Sequence, residues 1–388
     1  MSGQAAERPF LLDISRLVWR VWRGKLPTGI DRVCQAYVEH FGSRSQAVVQ
    51  RRGFHFILSP DVSDRLFHVL TSTGPNTRLE LLKIASTAWL GAPRPRPHSG
   101  AIYLNVGHTG LDENSLPSWI TRHRLRAVFL IHDLIPLTHP QYCREGEAGK
   151  HARRMICVLD SAAGVIGNSQ ATLDDLARFA TKQGKPMPKS IAALIGSADL
   201  PSGIPAKHLK KRHFVTVGTI EGRKNHQLLL DVWDRLHSDR GEDAPALIII
   251  GQRGWQAESV FQRLDDLGAL GAHVFELGAC DDDELAAWLA GAEGLLMPSF
   301  VEGFGMPVIE ALELGTPVIA ADLPVYRELA GDVPTYLDPN DPDGWRRTIE
   351  DFSGRGSERE KQVVALAQFR APSWEDHFRK VETWFDTL

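Results

Sequence analysis

The chain has 388 residues, of which 43% are hydrophobic and 24% charged. This ordinary globular composition excludes fibrous, disordered and disulfide-scaffold proteins, and at about 100 to 200 residues per domain the length indicates two domains. The formal charge of -4 conceals two opposite halves: residues 1–200 hold 25 basic and 16 acidic side chains, net +9, whereas residues 201–388 hold 19 and 32, net -13.

Neither the apolar runs nor the cysteines indicate a membrane-spanning or disulfide-bonded protein. Runs such as 127–131 and 246–250 are far shorter than the roughly 18 to 20 residues that a membrane helix needs. The four cysteines form no C-x-x-C pair, which argues against a zinc knuckle or a redox motif. Residues 1–10 lack a basic stretch followed by an apolar core, so no secretory signal is predicted. We expect a cytoplasmic protein with reduced thiols.

The first element along the chain is a basic segment that contains two tryptophans. Residues 15–25 place Trp19 and Trp22 among three arginines and a lysine. Such a pattern suits either contact with an anionic lipid surface or an element whose tryptophans pack inward. The first would place the protein peripherally on the inner face of the cytoplasmic membrane. A turn over residues 26–33, with Gly29, then opens into an amphipathic stretch.

Short apolar runs alternate with amphipathic stretches through both halves, which predicts strand–helix units with parallel sheets. The predicted strands are 101–106, 127–131, 164–167, 213–217, 246–250, 273–277, 294–297 and 317–320. The predicted helices are 171–179, 227–236, 257–267, 282–290, 307–314 and a terminal helix after Ser373.

Residues 183–212 are rich in Gly, Pro, Ser and Lys and show little periodicity, so we place the domain boundary there. The predicted fold class is α/β with two Rossmann-like domains. The predicted divisions are 1–195, 209–370 and a terminal helix, 371–388, that crosses back to the first domain.

The loop after the strand 294–297 is the most informative stretch. Gly303 and Gly305 allow backbone amides to approach a ligand, and the helix that follows offers unpaired N–H groups to an anion. Glu302 lies in this loop and Glu310 on the helix. The alternative interpretation is a strand–turn–helix joint with surface glutamates.

A second loop supports the functional interpretation. The strand 213–217 leads through Gly218 to Arg223 and Lys224, and in an open parallel sheet ligands bind outside the carboxyl ends of the strands. This loop and the Glu302 loop should therefore converge, and the two cations together would neutralise a diphosphate.

These residues resemble the carboxyl-terminal domain of retaining GT-B glycosyltransferases, the large family called glycosyltransferases group 1 or family 4. Glu302 and Glu310 fit the E-x7-E motif of that family. The stretches that carry the resemblance are VGTIEGRKNH at 217–226, IIIGQRGW at 248–255, LGACDDDELAAWLAGAEGLLMPS at 277–299 and VEGFGMPVIEALELGTPVIA at 301–320.

The resemblance implies a GT-B architecture, with an acceptor-binding and a donor-binding domain facing across a cleft, and it implies individual roles. Arg223 and Lys224 would bind the diphosphate of a nucleotide-sugar donor, and Glu310 the ribose hydroxyls. The donor sugar would contact Glu302 and the segment Gly303, Phe304, Gly305 and Met306. Gly218 opens the diphosphate loop, and Gly278 would lie against the base.

In the first half the resemblance implies two further site residues. Gly29 matches the loop that approaches the donor phosphate, although the family's usual run of glycines is reduced to this one residue. His132 follows a buried strand in IHDLIPL and would contact the donor sugar from the opposite side of the cleft. On the residues alone, a histidine at a strand end is more often structural than catalytic. Asp133 is either its orienting partner or a helix or turn cap, and Asn168 and Ser169 are interpreted as structural.

The acidic run at residues 281–283 resembles a metal site of the D-x-D type. Because it directly precedes a helix, an N-cap with first-turn acids is the better interpretation. With Arg223 and Lys224 available for the phosphates, neither a metal nor another cofactor is expected.

The resemblance predicts transfer with retention, in which the leaving phosphate takes the proton of the acceptor hydroxyl. The catalytic set would be His132, Glu302, Arg223 and Lys224, acting by positioning and charge stabilisation. GDP-mannose is the favoured donor, and the acceptor would be a saccharide or a lipid-linked saccharide of a cell-surface polysaccharide.

Other functions stay open on the sequence alone. They are a nucleotide-sugar epimerase or phosphorylase on a similar fold, and a non-catalytic nucleotide-sugar-binding subunit of a polysaccharide assembly complex. A dehydrogenase is disfavoured by the lack of a full G-x-G-x-x-G motif. Nucleic acid is not an expected partner, because no recognition helix or aromatic RNA-binding signature accompanies the basic half.

Overall fold

A computed structural model describes residues 8–24, 28–72, 74, 77–90, 97, 99–198 and 200–388, with side chains in the 77–90 helix as far as residue 87. The chain divides into two compact units. The first unit comprises Met1–Leu134, Ala148–Ile195 and Trp374–Leu388, and the second comprises Ile135–Glu147 and Gly196–Ser373. Within the described residues, no helix is long and apolar enough to cross a bilayer.

The helices and strands alternate along the chain. Up to residue 192 they are β1 (Phe10–Asp13), α1 (Ser15–Trp22), α2 (Gly29–Phe41), β2 (Ser45–Arg51), β3 (Phe54–Ile57), α3 (Pro60–Thr71), α4 (Thr77–Leu90), β4 (Ile102–Asn105), α5 (Ser115–His123), β5 (Arg126–Ile131), α6 (Ile135–Thr138), α7 (Glu147–Ser161), β6 (Gly164–Gly167), α8 (Gln170–Lys182) and β7 (Ser190–Ala192).

The later elements are β8 (His213–Val217), α9 (His226–Arg240), β9 (Ala246–Ile250), α10 (Glu258–Asp265), β10 (Val274–Leu277), α11 (Asp282–Ala290), β11 (Gly294–Met297), α12 (Met306–Glu313), β12 (Val318–Ala321), α13 (Pro324–Ala330), β13 (Thr335–Leu337), α14 (Pro342–Gly354), α15 (Ser357–Leu366) and α16 (Trp374–Phe385).

The first unit contains a seven-stranded sheet in the order β3-β2-β1-β4-β5-β6-β7. Its strands are parallel except that β3 runs antiparallel to β2. The hairpin explains the exception: Arg51 pairs with Phe54, and the two residues between them, Arg52 and Gly53, have φ of 49° and 77°. Positive φ at both central residues is the geometry of a type I′ turn. A two-residue turn of this kind can join only antiparallel strands, because parallel strands need a longer crossover connection.

The second unit contains a six-stranded parallel sheet in the order β10-β9-β8-β11-β12-β13. The strand order reverses at the β8/β11 pair, and ligands of such sheets bind outside the carboxyl ends at this switch point. Buried aromatic side chains form its core, among them Trp233 and Trp345 at 0% exposure. The Trp233 Nε1 donates to the carbonyl of Pro245 at 2.9 Å, so the polar atom of this buried ring is paired.

The structure confirms the predicted strands of both halves to within one residue at each end. The sequence did not predict β1, β2, β3, β7 or β13, and β7 lies inside the predicted boundary region 183–212. β7 and β13 have three residues each, which is too short for the alternation of apolar and polar residues to be recognised. Residues 10–14 are continuously apolar apart from Asp13, because β1 is a buried interior strand of its sheet.

One segment of the first half, residues 135–147, packs within the second unit. The Trp255 Nε1 donates to the carbonyl of Tyr142 at 3.0 Å, and the ring of Tyr142 stacks on that of Phe300 with centroids 5.6 Å apart. The domain boundary predicted from the sequence, at residue 195, divides the chain at a single position and therefore assigns this segment to the first domain.

The terminal helix α16 belongs to the first unit. The Tyr37 hydroxyl and the His377 Nε2 are 2.8 Å apart, and Phe378 contacts the ring of Phe41 edge-on at 5.6 Å. The helical spacing of its apolar residues therefore serves packing against α2.

Candidate functional site

The glycine loop after β11 makes a tight entry into α12. Gly305 is the N-cap of α12 and has φ of 112°, and a Cβ there would lie 2.5 Å from the ring of Tyr326. Met306 is the first helical residue and Pro307 the second, so proline falls where its missing N–H costs nothing. Gly315, with φ of 77°, follows the end of the helix, as the sequence predicts.

The loop after β8 folds back on its own first residue. Gly218 has φ of 137°, and a Cβ there would lie 3.1 Å from both Cε and Nζ of Lys224. The short turn 222–224 ends at Asn225, whose Nδ2 donates to the carbonyls of Pro298 and Pro339 at 3.2 and 2.9 Å. Asn225 thus ties this loop to the carboxyl end of β11.

The two loops converge, as predicted, on a cluster of four charged side chains: Glu221, Arg223, Lys224 and Glu302, called here the four-charge cluster. The Glu302 carboxylate lies 2.6 Å from Arg223 Nη1 and 2.6 Å from Lys224 Nζ. Arg223 Nε lies 2.7 Å from Glu221. The cluster holds two positive and two negative charges, so its formal charge is zero.

Hydrogen bonds fix the cluster to the loop backbone. Arg223 Nη1 donates to the carbonyl of Val301 at 3.1 Å, and the Phe300 N–H donates to the Arg223 carbonyl at 2.8 Å. The Ser299 hydroxyl donates to Glu302 at 2.7 Å. These contacts place both cations beside the glycine loop.

Burial and charge act differently on the two carboxyl groups. Burial raises the pKa of Glu302, but Arg223, Lys224 and Ser299 outweigh it and lower the pKa to about 2. Burial raises the pKa of Glu221, and the charge of Glu302 raises it further against the two cations. Burial lowers the pKa of Lys224, which Glu302 opposes. Glu302 is therefore firmly ionised at neutral pH, whereas Glu221 is the carboxyl group closer to protonation.

The remaining residues of the predicted donor site lie on the same sheet edge or next to it. Glu310 is 8% exposed on α12, Phe304 is 7% exposed, and Gly303 and Met306 flank the α12 entry. Gly278 follows β10, and a methyl group there would meet nothing within 4 Å. Packing does not explain the glycine at 278.

In the first unit, His132 lies at the carboxyl end of β5, where it forms a cluster with the buried His151 and the half-buried His108. Its ring centroid is 5.0 Å from that of His108, which lies 6.3 Å from that of His151. Each Nε2 donates to a backbone carbonyl: His132 to Val106 at 2.7 Å, His108 to Leu130 at 2.8 Å and His151 to Asp133 at 3.2 Å.

These hydrogen bonds determine the chemistry of the His132 ring. Burial lowers the pKa of His132 to about 4, so the ring is neutral at pH 7 with its proton on Nε2. The other nitrogen, Nδ1, is then a hydrogen-bond acceptor. Nε2 donates to Val106 rather than to Asp133, so the orienting group is a backbone carbonyl.

Gly29 is the first residue of α2, and a Cβ there would meet nothing within 4 Å. The helix is capped by Asp31, which accepts hydrogen bonds from the Thr28 backbone and hydroxyl and pairs with Arg16 and Arg20. Residues 25–27 of the predicted glycine loop and of the basic segment lie outside the described residues.

Two predicted helix caps are confirmed. Asp281 is the N-cap of α11 and accepts from the Glu284 N–H at 2.8 Å. Ser169 is the N-cap of α8 and accepts from the Thr172 N–H at 3.1 Å. The acidic run at 281–283 therefore stabilises the start of a helix.

Asn168 has a structural contact, as the sequence indicates. Its Nδ2 donates to the His132 carbonyl at 2.8 Å, so it supports the backbone at the end of β5. Nowhere in the part of the chain that the structure describes could a group of three His, Cys, Asp or Glu side chains hold a metal ion.

Sequence reasoning missed four residues of the site: Glu221, His226, Ser299 and Tyr326. Ser299 and Tyr326 are fully buried, and His226 is 2% exposed with neither ring nitrogen paired among the described residues. Burial, together with a smaller effect of the charge of Lys224, lowers the pKa of His226 to about 3. The position of Glu221, two residues before Arg223, could have indicated that it belongs to the site. No pattern in the sequence indicates the other three residues.

Comparison with known proteins gives a family match. The model of the family described as Glycosyl transferases group 1 matches residues 202–365. The serotype-specific mannosyltransferase WbdA of Escherichia coli is 28% identical over 242 residues, 58% of this chain, but these cover 29% of the length of WbdA. The O-antigen chain mannosyltransferase B of Escherichia coli is 29% identical over 272 residues, 67% of this chain and 70% of that protein.

A solved structure extends the likeness to both units. Anabaena HepE, crystallised in complex with UDP, superposes with a TM-score of 0.64 over 98% of this chain and 99% of its own, at 14% identity. At this identity the likeness is one of fold. It confirms the predicted fold class: α/β, of GT-B architecture, with two parallel-sheet domains.

Proposed function

Residues 202–365 form a glycosyl transferases group 1 domain, and from this premise we propose that the chain is a retaining glycosyltransferase. It transfers a sugar from a nucleotide-diphosphate donor, GDP-mannose, to a saccharide or lipid-linked saccharide in the synthesis of a cell-surface polysaccharide. The observation that carries the proposal is the convergence of Arg223, Lys224 and Glu302 at the β8/β11 switch point.

The mannose donor is supported by the relatives. WbdA and mannosyltransferase B are both named mannosyltransferases, and the second of these is named for the O-antigen chain, a polysaccharide. The HepE structure contains UDP, so the choice of base needs a direct test.

The mechanism we propose assigns the two cations to the diphosphate. Arg223 and Lys224 stabilise the negative charge that grows on the diphosphate as the bond to the sugar breaks. The leaving phosphate oxygen then accepts the proton of the acceptor hydroxyl.

The other donor-site residues hold the donor in place. Glu302, ionised because of its low pKa, cannot donate a proton at neutral pH and instead accepts hydrogen bonds from sugar hydroxyls. Glu310 holds the ribose, and Gly218, Gly278 and Gly29 leave room for the donor.

His132 contributes a neutral acceptor to the same reaction. Its Nε2–H donates a hydrogen bond to the carbonyl of Val106, and its Nδ1 accepts a hydrogen bond from a hydroxyl of the donor sugar. No metal ion takes part in this proposal, because the two cations supply the charge.

Calorimetric titration with GDP, UDP, ADP and TDP tests the proposal. We expect one nucleotide to bind at tens of micromolar, about 6 to 7 kcal/mol. Glu310→Ala should weaken nucleotide binding, whereas Glu302→Ala should mainly lower turnover with GDP-mannose. Glu313→Ala, an exposed residue of the same helix, is the matched control and should change neither.

Two results would contradict the proposal. One is that none of the four nucleotides binds; the other is that Glu302→Ala and Glu310→Ala both retain the full activity of the unaltered protein.

We further propose that the first unit contacts an anionic membrane surface through Trp22. Trp22 is 43% exposed, whereas Trp19 donates its Nε1 to the Gln50 carbonyl at 3.1 Å and lies under Arg51. The fraction of the protein that sediments with vesicles containing phosphatidylglycerol should be smaller for Trp22→Ala than for the unaltered protein. Val364→Ala, which changes an exposed apolar residue of the second unit, should leave it unchanged; equal sedimentation of both variants would contradict the contact.

A further inference from the structure

Glu221 forms part of the four-charge cluster without an assigned role in the reaction. Its side chain is 3% exposed, and Oε1 lies 2.7 Å from Arg223 Nε. Its other oxygen, Oε2, is buried and has no hydrogen-bond partner among the described residues. A buried carboxylate oxygen without a partner is costly, and this cost disfavours the ionised form of Glu221.

The charge balance of the cluster changes when a donor binds. Without ligand, the charges of Arg223 and Lys224 are balanced by those of Glu221 and Glu302. A nucleotide-diphosphate sugar adds two negative charges, because each of its phosphates carries one. The occupied cluster would then hold four negative and two positive charges in a buried place, which is unfavourable at low dielectric.

We propose that Glu221 takes up one proton when a nucleotide-diphosphate sugar binds to the four-charge cluster. The proton comes from solvent and binds to Oε2, while Oε1 continues to accept the hydrogen bond from Arg223 Nε. No bond of the donor is made or broken in this step. The positive charge of Arg223, no longer neutralised by Glu221, is then available to the diphosphate. This inference rests on the proposed function.

The surroundings single out Glu221 among the titratable groups of the cluster. Glu302 is held by three donors, Arg223, Lys224 and Ser299, and its pKa of about 2 keeps it ionised. Glu221 has one ion-pair contact within the described residues, to Arg223, and burial has already raised its pKa. The other titratable groups against the cluster are neutral, because burial lowers the pKa of His226 and raises that of Tyr326.

The sign of the pH dependence follows from linkage. If the complex binds one more proton than the free protein, affinity is greatest at low pH. It falls by up to about tenfold per pH unit between the pKa of Glu221 in the free protein and its higher pKa in the complex. A protein that takes up no proton has an affinity independent of pH over this range.

The test is calorimetric titration of the full chain with GDP-mannose and with UDP-glucose between pH 5 and 8. Neither probe carries a group that titrates near neutrality, and phosphate buffers are avoided because they compete for the cluster. The difference between the binding enthalpies observed in two buffers of different ionisation enthalpy gives the number of protons taken up. We expect uptake of up to one proton in the unaltered protein and none in Glu221→Gln, whose affinity should not depend on pH.

Glu293→Gln is the matched control. Glu293 is also a buried carboxylate, 3.2 Å from Arg359, but it precedes β11 at the opposite edge of the sheet. This variant should take up protons as the unaltered protein does.

The outcomes separate this inference from the proposed function. If neither probe bound, the proposed function would fail and this inference with it. If a probe bound without proton uptake at any pH from 5 to 8, or with the same uptake in Glu221→Gln, only the role of Glu221 would be overturned. Absence of proton uptake in the unaltered protein would overturn the role of Glu221 even if Glu221→Gln did not fold.

Discussion

The carboxyl edges of the two sheets are built from different chemistry. In the second unit, the edge holds the two positive and two negative side chains of the four-charge cluster. Their nitrogen and oxygen atoms pair at distances of 2.6 to 2.7 Å, and the formal charges sum to zero. In the first unit, the corresponding edge holds three histidines, each of which donates a hydrogen bond to a backbone carbonyl. Both sheets share the order 3-2-1-4-5-6 around their first strand, so topology does not cause the difference.

The difference shows how each edge can respond to a ligand. Paired charges can exchange partners, so the second unit can rearrange its ion pairs around a diphosphate. The neutral imidazoles of His108 and His132, whose pKa values burial lowers, are held by backbone carbonyls and offer acceptors of fixed direction. Such uncharged acceptors suit hydroxyl groups. Under the proposed function, the charged edge serves the leaving group and the neutral edge serves the sugar.

Arg223→Ala should have the largest effect, because it breaks the charge balance of the second unit. It leaves Glu221 and Glu302 buried with Lys224 alone, and breaking a buried pair costs about 3 to 5 kcal/mol. We expect the urea transition of the second unit to shift to lower concentration and nucleotide binding to be lost.

The control for this change is Arg253→Ala. It removes surface pairs with Asp265 and Glu276 and should cost much less stability. Equal losses in the two variants would contradict a special role of the four-charge cluster.

His132→Gln should come second, because it changes the neutral edge without adding charge. The glutamine amide can still donate to the Val106 carbonyl, but it cannot place an acceptor where Nδ1 lies. We expect turnover to fall about 10- to 100-fold, because leaving a buried hydrogen-bonding group without its partner costs about 1 to 3 kcal/mol, with nucleotide affinity unchanged. His68→Gln, on the exposed surface of α3, should keep full turnover. A loss of nucleotide affinity in His132→Gln would point to a structural effect instead.

Ser299→Ala should have a smaller effect, because Glu302 keeps two of its three donors. Losing the hydroxyl that donates at 2.7 Å should cost about 1 kcal/mol, seen as a shift of the unfolding midpoint and a few-fold change in turnover. Ser238→Ala, which removes an exposed hydroxyl on α9, provides the baseline. If Ser299→Ala matched Arg223→Ala in its effect, the charge balance would not be what stabilises the loop.

The smallest expected change is the pH response of His132. Because its pKa in the folded protein is about 4, its Cε1–H NMR signal should complete about a tenth or less of its shift between pH 8 and 5. Burial depresses this pKa, so stability is present above the unfolded value near 6.5 and is lost as pH falls towards 4. The signal is identified by its absence in His132→Gln. A midpoint near 6.5 would show that the ring is not held neutral.

Much of the second unit could be predicted from the sequence. The strands around Arg223 and Glu302 are short apolar runs that end in glycine or polar residues, and Gly305 and Gly315 mark the start and end of α12. Because the topology of a parallel sheet brings the ends of neighbouring strands together, the convergence of the two loops followed from their positions in the chain.

Other features depended on contacts between residues far apart in the chain. The antiparallel β3 follows from a turn in which Arg52 takes a positive φ, which sequence patterns for arginine do not indicate. The segment 135–147 packs on Trp255, and α16 packs on α2, although neither lies beside its partner in the sequence.

The sequence by itself determined the alternating α/β pattern, the glycine loop and the presence of Arg223, Lys224, Glu302 and Glu310, because these depend on local periodicity and residue type. Tertiary structure alone decided that Glu221 completes the cluster and that backbone carbonyls hold the His132 ring. Burial and the distances between charges set both results, and a linear sequence contains neither quantity.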